Sequence, residues 1–496
     1  MTAKRPDDTK VPGGAEVPGG AEVPGGNWLV VDLDGTLIRT DMLFETFWSA
    51  TSRSWTAPVR AGLALMRDGR AGMKRRLSEI SAVDPTTLPF TPAVLAFIEA
   101  WRAAGGRTAL VTASDDALAQ QIADRLGLFD EVHGSDGHNN LKGAAKARFL
   151  CAHYGERNFD YIGDSAADVA VWAHARRAIM VGASAALRRR VAATGAGIVD
   201  LPAPKATLRA RLKLLRPHQW LKNLLVFVPV LAAHKTDLAS LGAALMAFCA
   251  FSLVASAGYV LNDMLDIASD RAHPRKRRRP LASGAVTLAG ASALAPALLV
   301  LGAGLASVLG GRFLTVVALY FIVTLSYSLV LKRQPILDIC VLAGLYTLRI
   351  VAGGIATATA LSFWLAAFSG ALFFSLAAIK RQAELADLAR RGIEAVRGRG
   401  YRTADLPLVM AMAIASGYVA ILILALYVTS PDVRLLYAAP DRLWAGCVVM
   451  FYWISRMVLL THRGQMNDDP VVFAATDRIS LICLGLMAVI GVGATI

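Results

Sequence analysis

The chain has 496 residues, of which 55% are hydrophobic, and its mean hydropathy of +0.48 is higher than that of an ordinary soluble domain. Residues up to about Pro204 carry a normal mixture of charges, so we predict a soluble domain followed by a membrane domain. The net charge of +15 does not indicate a nucleic-acid partner, because the basic residues of the second half concentrate between apolar runs, where membrane topology or phosphate-bearing substrates explain them.

The first 26 residues form a repetitive tail. They contain VPGGAEVPGGAEVPGG, which is rich in Pro and Gly and has too little apolar surface to bury. We therefore predict that residues 1–26 are disordered. The five cysteines are scattered without metal-ligand spacing, and we interpret them as small core residues.

Three apolar runs within residues 27–200 end in polar side chains. WLVV precedes DLDGT, RTALVTAS ends in hydroxyls, and FDYIGDSAAD ends in two aspartates. Strands separated by helical stretches predict a Rossmann-like α/β domain, a parallel sheet with helices on both faces, whose ligands bind beyond the carboxyl ends of the strands. Asp32, Asp34, Asp164 and Asp168 should therefore meet at one edge, where so much negative charge calls for a divalent cation.

These motifs, in this order, resemble those of the haloacid dehalogenase superfamily of phosphohydrolases. The resemblance covers residues 27–200 and implies a helical cap within residues 38–107. It also implies that Asp32 is a nucleophile that forms an aspartyl-phosphate and that Asp34 is a general acid and then a base. The implied phosphate ligands are Thr112 and a lysine, with Lys142 the first choice and Lys146 the second; the implied Mg²⁺ ligands are Asp32, the backbone carbonyl of Asp34, Asp164 and Asp168. The alternative is a retired domain kept as a scaffold.

A linker of residues 201–220 leads into the membrane domain, residues 221–496. We predict nine apolar spans, at residues 221–233, 238–261, 288–309, 313–331, 336–356, 361–378, 408–428, 443–460 and 479–496. The basic loops all fall on alternate connections, so positive-inside topology predicts a bacterial-type inner-membrane protein whose soluble domain and candidate sites face the cytoplasm.

The second span is followed by NDMLDIASDRAHPRKRRRPLASG, residues 262–284. Asp263, Asp266 and Asp270 are spaced to share one helical face, with Asn262 beside them. Unpaired carboxylates at the edge of a hydrocarbon layer are costly, which indicates a bound cation, and Mg²⁺ is the natural choice. The basic residues that follow would neutralise substrate phosphates. A loop that only fixes topology explains the arginines but not the aspartates.

This stretch resembles the UbiA superfamily of intramembrane prenyltransferases, whose signature NDxxDxxxDR is matched in full and is followed by HPxKRxRPLASG. The superfamily's second aspartate motif is replaced by YSLVLKRQPILD, with Asp338 as its one carboxylate, which suits a more heavily phosphorylated substrate. LRPHQWLKNLLVFVP, TLRIVAGG, AIKRQAEL and MNDDPVVFAATDR are similar to the branch typified by decaprenyl-phosphate phosphoribosyltransferase.

That resemblance implies phosphoribosyl diphosphate and a polyprenyl phosphate as substrates, and Mg²⁺ and diphosphate bound at Asp263, Asp266 and Asp270. The implied substrate contacts are Lys222, Asn262, Arg271, Lys276, Tyr327, Lys332, Arg333, Asp338, Arg349 and Lys380, with Arg381 and Glu384 in a further polar ring. The product would carry a 5-phosphate that the phosphatase removes, leaving polyprenyl-phosphoryl ribose for cell-envelope glycans. The rival hypotheses are prenyl transfer to an aromatic acceptor, with an unrelated phosphatase, and a non-catalytic soluble domain.

Overall fold

The computed structural model describes residues 27–135, 140–203, 207–394, 400–466 and 469–495. The predicted tail, residues 1–26, lies outside the described residues. The chain divides into two compact units. The first contains the residues up to Arg211 together with Asp263–Ser292, and the second contains Leu212–Asn262 and Ala293–Ile496. The aspartate-bearing segment Asp263–Ser292, called the aspartate loop below, therefore packs with the soluble domain.

Six parallel strands form the sheet of the first unit, in the order β3-β2-β1-β4-β5-β6. Their bounds are β1 Trp28–Val31, β2 Arg107–Asp115, β3 Glu131–Ser135, β4 Phe159–Gly163, β5 Arg177–Val181 and β6 Gly197–Leu201. At the end of β1, Val31 pairs with Leu110 of β2 and with Ile162 of β4. The three predicted polar strand ends therefore meet at one edge, and the Rossmann-like prediction is confirmed.

Helices cover both faces of this sheet. The first seven helices are α1 Met42–Arg53, α2 Ala57–Ile80, α3 Pro92–Ala103, α4 Asp116–Leu126, α5 Ala144–Tyr154, α6 Val169–Trp172 and α7 Ala185–Ala192. Helices α3 and α4 pack on one face of the sheet, and α5, α6 and α7 pack on the other. Leu29 and Val31 pack into one hydrophobic cluster while Val30 packs into another, because successive side chains of a strand point to opposite faces. This is why WLVV is apolar throughout. Helices α1 and α2 lie in the predicted cap, and α2 is kinked at Gly69.

The later helices follow in chain order. They are α8 Leu208–Leu214, α9 Val228–Ala232, α10 Leu238–Leu265, α11 Ile267–Ala272, α12 Leu288–Val308, α13 Gly311–Leu329, α14 Leu337–Ala356, α15 Phe363–Arg390, α16 Leu406–Thr429, α17 Pro431–Leu436, α18 Trp444–His462, α19 Pro470–Ala474 and α20 Arg478–Thr495. Among the described residues, eight helices are long and apolar enough to cross a membrane. The chain is a multi-pass membrane protein with an all-helical second unit.

The first of the nine predicted spans differs from the rest. In place of one helix over residues 221–233, a 3₁₀ stretch at Pro217–Phe227 leads into the short helix α9. Thirteen helical residues would reach only about 20 Å, short of a hydrocarbon layer of about 30 Å. Pro229 also lacks the N–H that a longer helix would need at that point.

The helix that carries the first aspartate is interrupted at the second. Helix α10 ends at Leu265, Asp266 leaves the helical region with φ −93° and ψ 8°, and α11 begins at Ile267. The backbone oxygen of Asp266 accepts the N–H of Asp270 at 2.9 Å, so Asp266 starts a new helix as an N-terminal cap. The expected single helical face through Asp270 is therefore wrong.

Candidate active sites

Asp32 follows β1 directly, and its backbone N–H donates to Ile162 O on the neighbouring strand at 3.0 Å. The residue is only 9% exposed, and its side-chain Oδ1 lies 2.6 Å from the Lys146 Nζ. Burial raises the pKa of Asp32 although Lys146 opposes the shift. The carboxylate is thus fixed at the edge of the sheet with a cation against one oxygen.

Lys146 is held by three acceptors at once. Its Nζ donates to Asp32 Oδ1 at 2.6 Å, to Val111 O at 3.0 Å and to the Tyr161 hydroxyl at 3.0 Å. It lies in the first turn of α5, which begins only at Ala144, and is buried. Lys142 precedes the helix and is exposed. The structure therefore brings the second-choice lysine, and not the first, to Asp32.

Asp34 is oriented by two donors from different parts of the domain. The Met42 N–H, at the start of the cap, donates to Asp34 Oδ1 at 2.7 Å, and the Ser114 hydroxyl donates to Oδ2 at 2.7 Å. Burial, with Asp41 and Asp32 nearby, raises the pKa of Asp34 to about 7. A carboxyl group with such a pKa can both give and take a proton near neutral pH.

Three carboxylates converge on one point. Ligand oxygens of Asp32, Asp164 and Asp168 all lie within 4.8 Å of one another. Burial and the neighbouring Asp168 and Asp32 raise the pKa of Asp164 to about 7. Asp168 also accepts the Tyr161 hydroxyl at 2.9 Å and the Ser165 hydroxyl at 2.9 Å. An all-oxygen set of this kind fits Mg²⁺.

The glycine of DLDGT, Gly35, lies so close to Asp164 that no larger residue fits there. Gly35 has φ +75°, and a Cβ there would lie 2.4 Å from Asp164 Oδ2. Next to it, the Thr36 hydroxyl donates to Asp164 Oδ1 at 3.4 Å.

Thr112 is fully buried at the end of β2, where its hydroxyl oxygen accepts the Ser114 N–H at 3.0 Å. Two further side chains were not predicted. Ser114 contacts Asp34, and Lys74 of the cap helix α2 donates to Ala113 O at 2.6 Å. The hydroxyls of RTALVTAS could have indicated Ser114, whereas nothing in the sequence distinguishes Lys74 from the other basic residues of α2.

The aspartate loop holds two of its three predicted metal ligands against one arginine. The Arg279 Nη1 lies 2.6 Å from Asp270 Oδ2 and 3.2 Å from Asp263 Oδ1, and both aspartates are 3% exposed. Burial raises the pKa of Asp270, although Arg279 lowers it. Asp266 is half-buried. The carboxylates suit Mg²⁺ in chemistry, but a cation bound to both of these oxygens would have to replace the guanidinium.

Arg271, the last residue of the NDxxDxxxDR signature, is paired inside the first unit. Its guanidinium makes a bidentate contact with Glu45 of α1, at 2.6 and 3.0 Å, and its Nε donates to Ala282 O at 3.2 Å. Both side chains are buried. The structure therefore places Arg271 as an internal partner of the soluble domain, a position that the sequence did not predict.

The one carboxylate of the motif YSLVLKRQPILD, Asp338, is also paired. Asp338 is fully buried, with Oδ2 at 2.5 Å from the Arg381 Nη2, and its Oδ1 accepts the Tyr401 hydroxyl at 2.7 Å. Arg381, itself fully buried, contacts Glu384 as well. Tyr401 was not predicted. Asp338 thus belongs to an internal cluster in which Arg381 offsets its charge.

Two further polar clusters lie in the second unit. Lys222 forms an ion pair with Asp469, and Lys380 lies 3.6 Å from the same carboxylate oxygen. Arg349 donates to Asn223 Oδ1 at 2.8 Å and to the Tyr320 hydroxyl at 2.8 Å. The sequence analysis did not predict Asn223 as the partner of Arg349 or Asp469 as the partner of Lys222, although both lie in motifs that it singled out, LRPHQWLKNLLVFVP and MNDDPVVFAATDR. Of the remaining predicted contacts, Asn262, Tyr327 and Lys332 are half-buried and Lys276 and Arg333 are exposed.

The fold and these clusters are those of an α/β domain joined to a helical membrane domain, and the family matches assign a hydrolase type to the first and a transferase type to the second. The UbiA prenyltransferase family model matches residues 223–482, and the haloacid dehalogenase-like hydrolase model matches residues 29–172. The chain belongs to the UbiA prenyltransferase family and carries a haloacid dehalogenase-like domain at its N-terminal side, as the motifs predicted.

Three curated relatives are similar to different extents of the chain. The uncharacterized protein y4nM of Sinorhizobium fredii is 36% identical in an alignment that covers 93% of this chain and 89% of y4nM. Nodulation protein NoeC of Azorhizobium caulinodans is 39% identical over 54% of this chain and 88% of its own length. Decaprenyl-phosphate phosphoribosyltransferase of Mycolicibacterium smegmatis is 33% identical over 58% of this chain and 93% of its own length. The suspected membership of the phosphoribosyltransferase branch is supported by this last relative.

Proposed function

We propose that this chain is a two-step membrane enzyme that transfers 5-phosphoribose from phosphoribosyl diphosphate to a polyprenyl phosphate and then removes the 5-phosphate. The observation that carries the first step is the similarity to decaprenyl-phosphate phosphoribosyltransferase over nearly the whole length of that relative. The second step is supported by the convergence of Asp32, Asp34 and Lys146 in a hydrolase domain of the same chain.

In the transfer step, a phosphate oxygen of the lipid attacks C1 of the phosphoribosyl group. A new C–O bond forms at C1 while the bond from C1 to the diphosphate breaks, so negative charge moves onto the departing diphosphate. Arg279 contacts Asp263 and Asp270. When Mg²⁺ takes its place there, the released guanidinium would bind phosphate oxygens of the substrate. Arg349 and Lys222 of the helical unit are proposed phosphate contacts, held ready by Asn223 and Asp469.

Mg²⁺ would be held by Asp263, Asp266 and Asp270 in the aspartate loop, and by Asp32, Asp164, Asp168 and the backbone carbonyl of Asp34 in the hydrolase. When bound, it would neutralise negative charge on phosphate oxygens.

In the hydrolytic step, an oxygen of Asp32 attacks the phosphorus of the 5-phosphate, and the bond to the ribose oxygen breaks. Asp34, protonated near neutral pH, would donate its proton to that oxygen. Asp34 would then take a proton from the water that attacks the aspartyl-phosphate, releasing inorganic phosphate and restoring Asp32. Lys146 keeps the attacking carboxylate in place and offsets charge that builds up on the phosphoryl group.

The product of both steps would be polyprenyl-phosphoryl ribose, a lipid-linked pentose donor for cell-envelope glycans. The basic connections between the spans favour a cytoplasmic location for both sites, and we therefore propose that both reactions take place on the cytoplasmic side of an inner membrane.

Mass analysis of the lipid product tests the proposal. Purified full-length protein is incubated with phosphoribosyl diphosphate, Mg²⁺ and a polyprenyl phosphate. We expect ribosylated lipid without the 5-phosphate. Absence of any ribosylated lipid would contradict the first step, and activity with a prenyl diphosphate and an aromatic acceptor would favour the rival transferase reaction.

The Asp32→Asn variant separates the two steps. It should accumulate the lipid that still carries the 5-phosphate, because the nucleophile is lost while the aspartate loop is unchanged. Asp124→Asn, the same substitution on the exposed face of α4, is the matched control and should give the wild-type product. An Asp32→Asn protein that still releases the dephosphorylated lipid would refute the hydrolytic step.

A further inference from the structure

A second cluster of metal-binding side chains lies in the hydrolase domain outside the carboxylate site. Glu131 and His133 stand two residues apart on the edge strand β3, so their side chains share one face. His153, in the last turn of α5, reaches the same point. The His133 Nε2 and the His153 Nε2 lie 3.3 and 3.1 Å from one oxygen, Glu131 Oε2, and the three ligand atoms all lie within 4.8 Å of one another.

These spacings match the edges of a metal coordination polyhedron. Zn²⁺ binds histidine nitrogen and carboxylate oxygen at about 2.0–2.1 Å in tetrahedral geometry, which separates neighbouring ligands by about 3.3 Å. Hydrogen bonding alone explains the arrangement less well. The Tyr154 hydroxyl also donates to Glu131 Oε2, at 2.8 Å, so three groups crowd an oxygen that has two lone pairs.

Neighbouring side chains hold the ligands in position. The Phe149 ring stacks on His153 with centroids 5.5 Å apart and meets His133 edge-on at 5.0 Å. The Tyr154 hydroxyl orients the carboxylate, as outer hydrogen bonds commonly do for metal ligands. The side chains of Glu131, His133 and His153 remain 33%, 29% and 43% exposed, which leaves a route for an ion and for a water as fourth ligand.

We propose that Glu131, His133 and His153 form a binding site for a divalent transition metal, with Zn²⁺ as the ion that best fits two imidazoles and one carboxylate. The site is distinct from the carboxylate site of Asp32. His153 lies seven residues along α5 from Lys146, or about 10 Å along the helix axis. The ion would tie the far end of α5 to the edge strand β3, and so fix the helix that delivers Lys146 to the nucleophile.

Metal binding is measured on the full-length protein in detergent, after chelator treatment, without a polyhistidine tag and with excess Mg²⁺ to occupy the carboxylate sites. We expect one equivalent of Co²⁺ to give visible absorption bands that Zn²⁺ abolishes, and Zn²⁺ to raise the melting temperature. His133→Gln and His153→Gln should each weaken Zn²⁺ binding by at least 10-fold. His174→Gln, which removes the exposed His174–Glu156 pair of the same domain, is the matched control and should bind as wild type.

Zinc-edge X-ray absorption of the wild-type protein makes the test independent of how the variants fold. Scattering from two imidazoles is expected. Zinc bound without imidazole, no zinc bound in the presence of Mg²⁺, or equal affinity in the wild type and in folded His133→Gln protein would each overturn the proposal.

Discussion

Replacing Glu45 by glutamine removes one charge from the ion pair that holds Arg271, and we expect it to loosen the aspartate loop. Glu45 is 1% exposed, and its two oxygens accept the hydrogen bonds from both Nη atoms of Arg271. Removing one partner of a buried pair costs about 3–5 kcal/mol, because the remaining charge is left without compensation. Glutamine keeps the shape and one acceptor, so the lower end of that range is the better expectation.

Hydrogen–deuterium exchange of the full-length protein measures this effect locally. A cost of about 3 kcal/mol raises the population of the opened loop by roughly 100-fold, and peptides from residues 263–292 should exchange correspondingly faster. Transfer activity should fall as well, because Asp263 and Asp270 belong to the same loop. The control is Glu79→Gln, which breaks the exposed pairs of Glu79 with Arg75 and Arg76 and should cost no more than about 1 kcal/mol.

Equal exchange of the loop in Glu45→Gln and Glu79→Gln proteins would refute the reasoning. A double variant with Glu45 and Arg271 both replaced by methionine sharpens the test. Because no unpaired charge is left, it should recover most of the loop protection that Glu45→Gln loses. If the double variant is no better protected than the single one, the ion pair is not the cause.

Three further outcomes follow from the geometry. Lys146→Met should lower dephosphorylation by about 10²–10³-fold, whereas Lys142→Met should change it little; equal losses in a phosphate-release assay would contradict the placement. Gly35→Ala should reduce Mg²⁺ affinity and phosphate release in titrations, since the added Cβ would lie 2.4 Å from the carboxylate of Asp164, a proposed Mg²⁺ ligand; wild-type Mg²⁺ dependence would contradict this. Asp338→Asn should lower the melting temperature, because Arg381 would remain buried with its charge less compensated, and unchanged melting would contradict that role.

The sequence predicts the carboxylate site well because parallel strands bring their ends to one edge. Asp32, Asp164 and Asp168 follow strand ends, so their convergence needs only the strand order. The lysine was harder to choose, since the choice depends on where α5 begins. A helix that starts at Ala144 leaves Lys142 outside and turns Lys146 inward, and helix starts are uncertain by several residues in sequence patterns.

The aspartate loop was predicted less completely for a different reason. The spacing of Asp263, Asp266 and Asp270 fits one helical face, and no Gly or Pro marks the break at Asp266. Glu45, the partner of Arg271, is distant in sequence, and Arg279, the partner of Asp263 and Asp270, comes later in the loop. The periodicity of a sequence carries no information on such tertiary pairs. Because the sequence does not show which residues pair in the fold, it favours interpreting such charged residues as substrate contacts.

Because the aspartate loop belongs to the first unit, it limits how the chain can be divided into fragments. The first unit is discontinuous in the chain, so no single cut yields both halves intact. A fragment ending at Arg211 would expose Glu45 without its guanidinium, while a fragment beginning at Leu212 would carry Arg271 without its carboxylate. Neither fragment thus holds the complete first unit, and co-expression of the two fragments is needed to supply both partners of this ion pair.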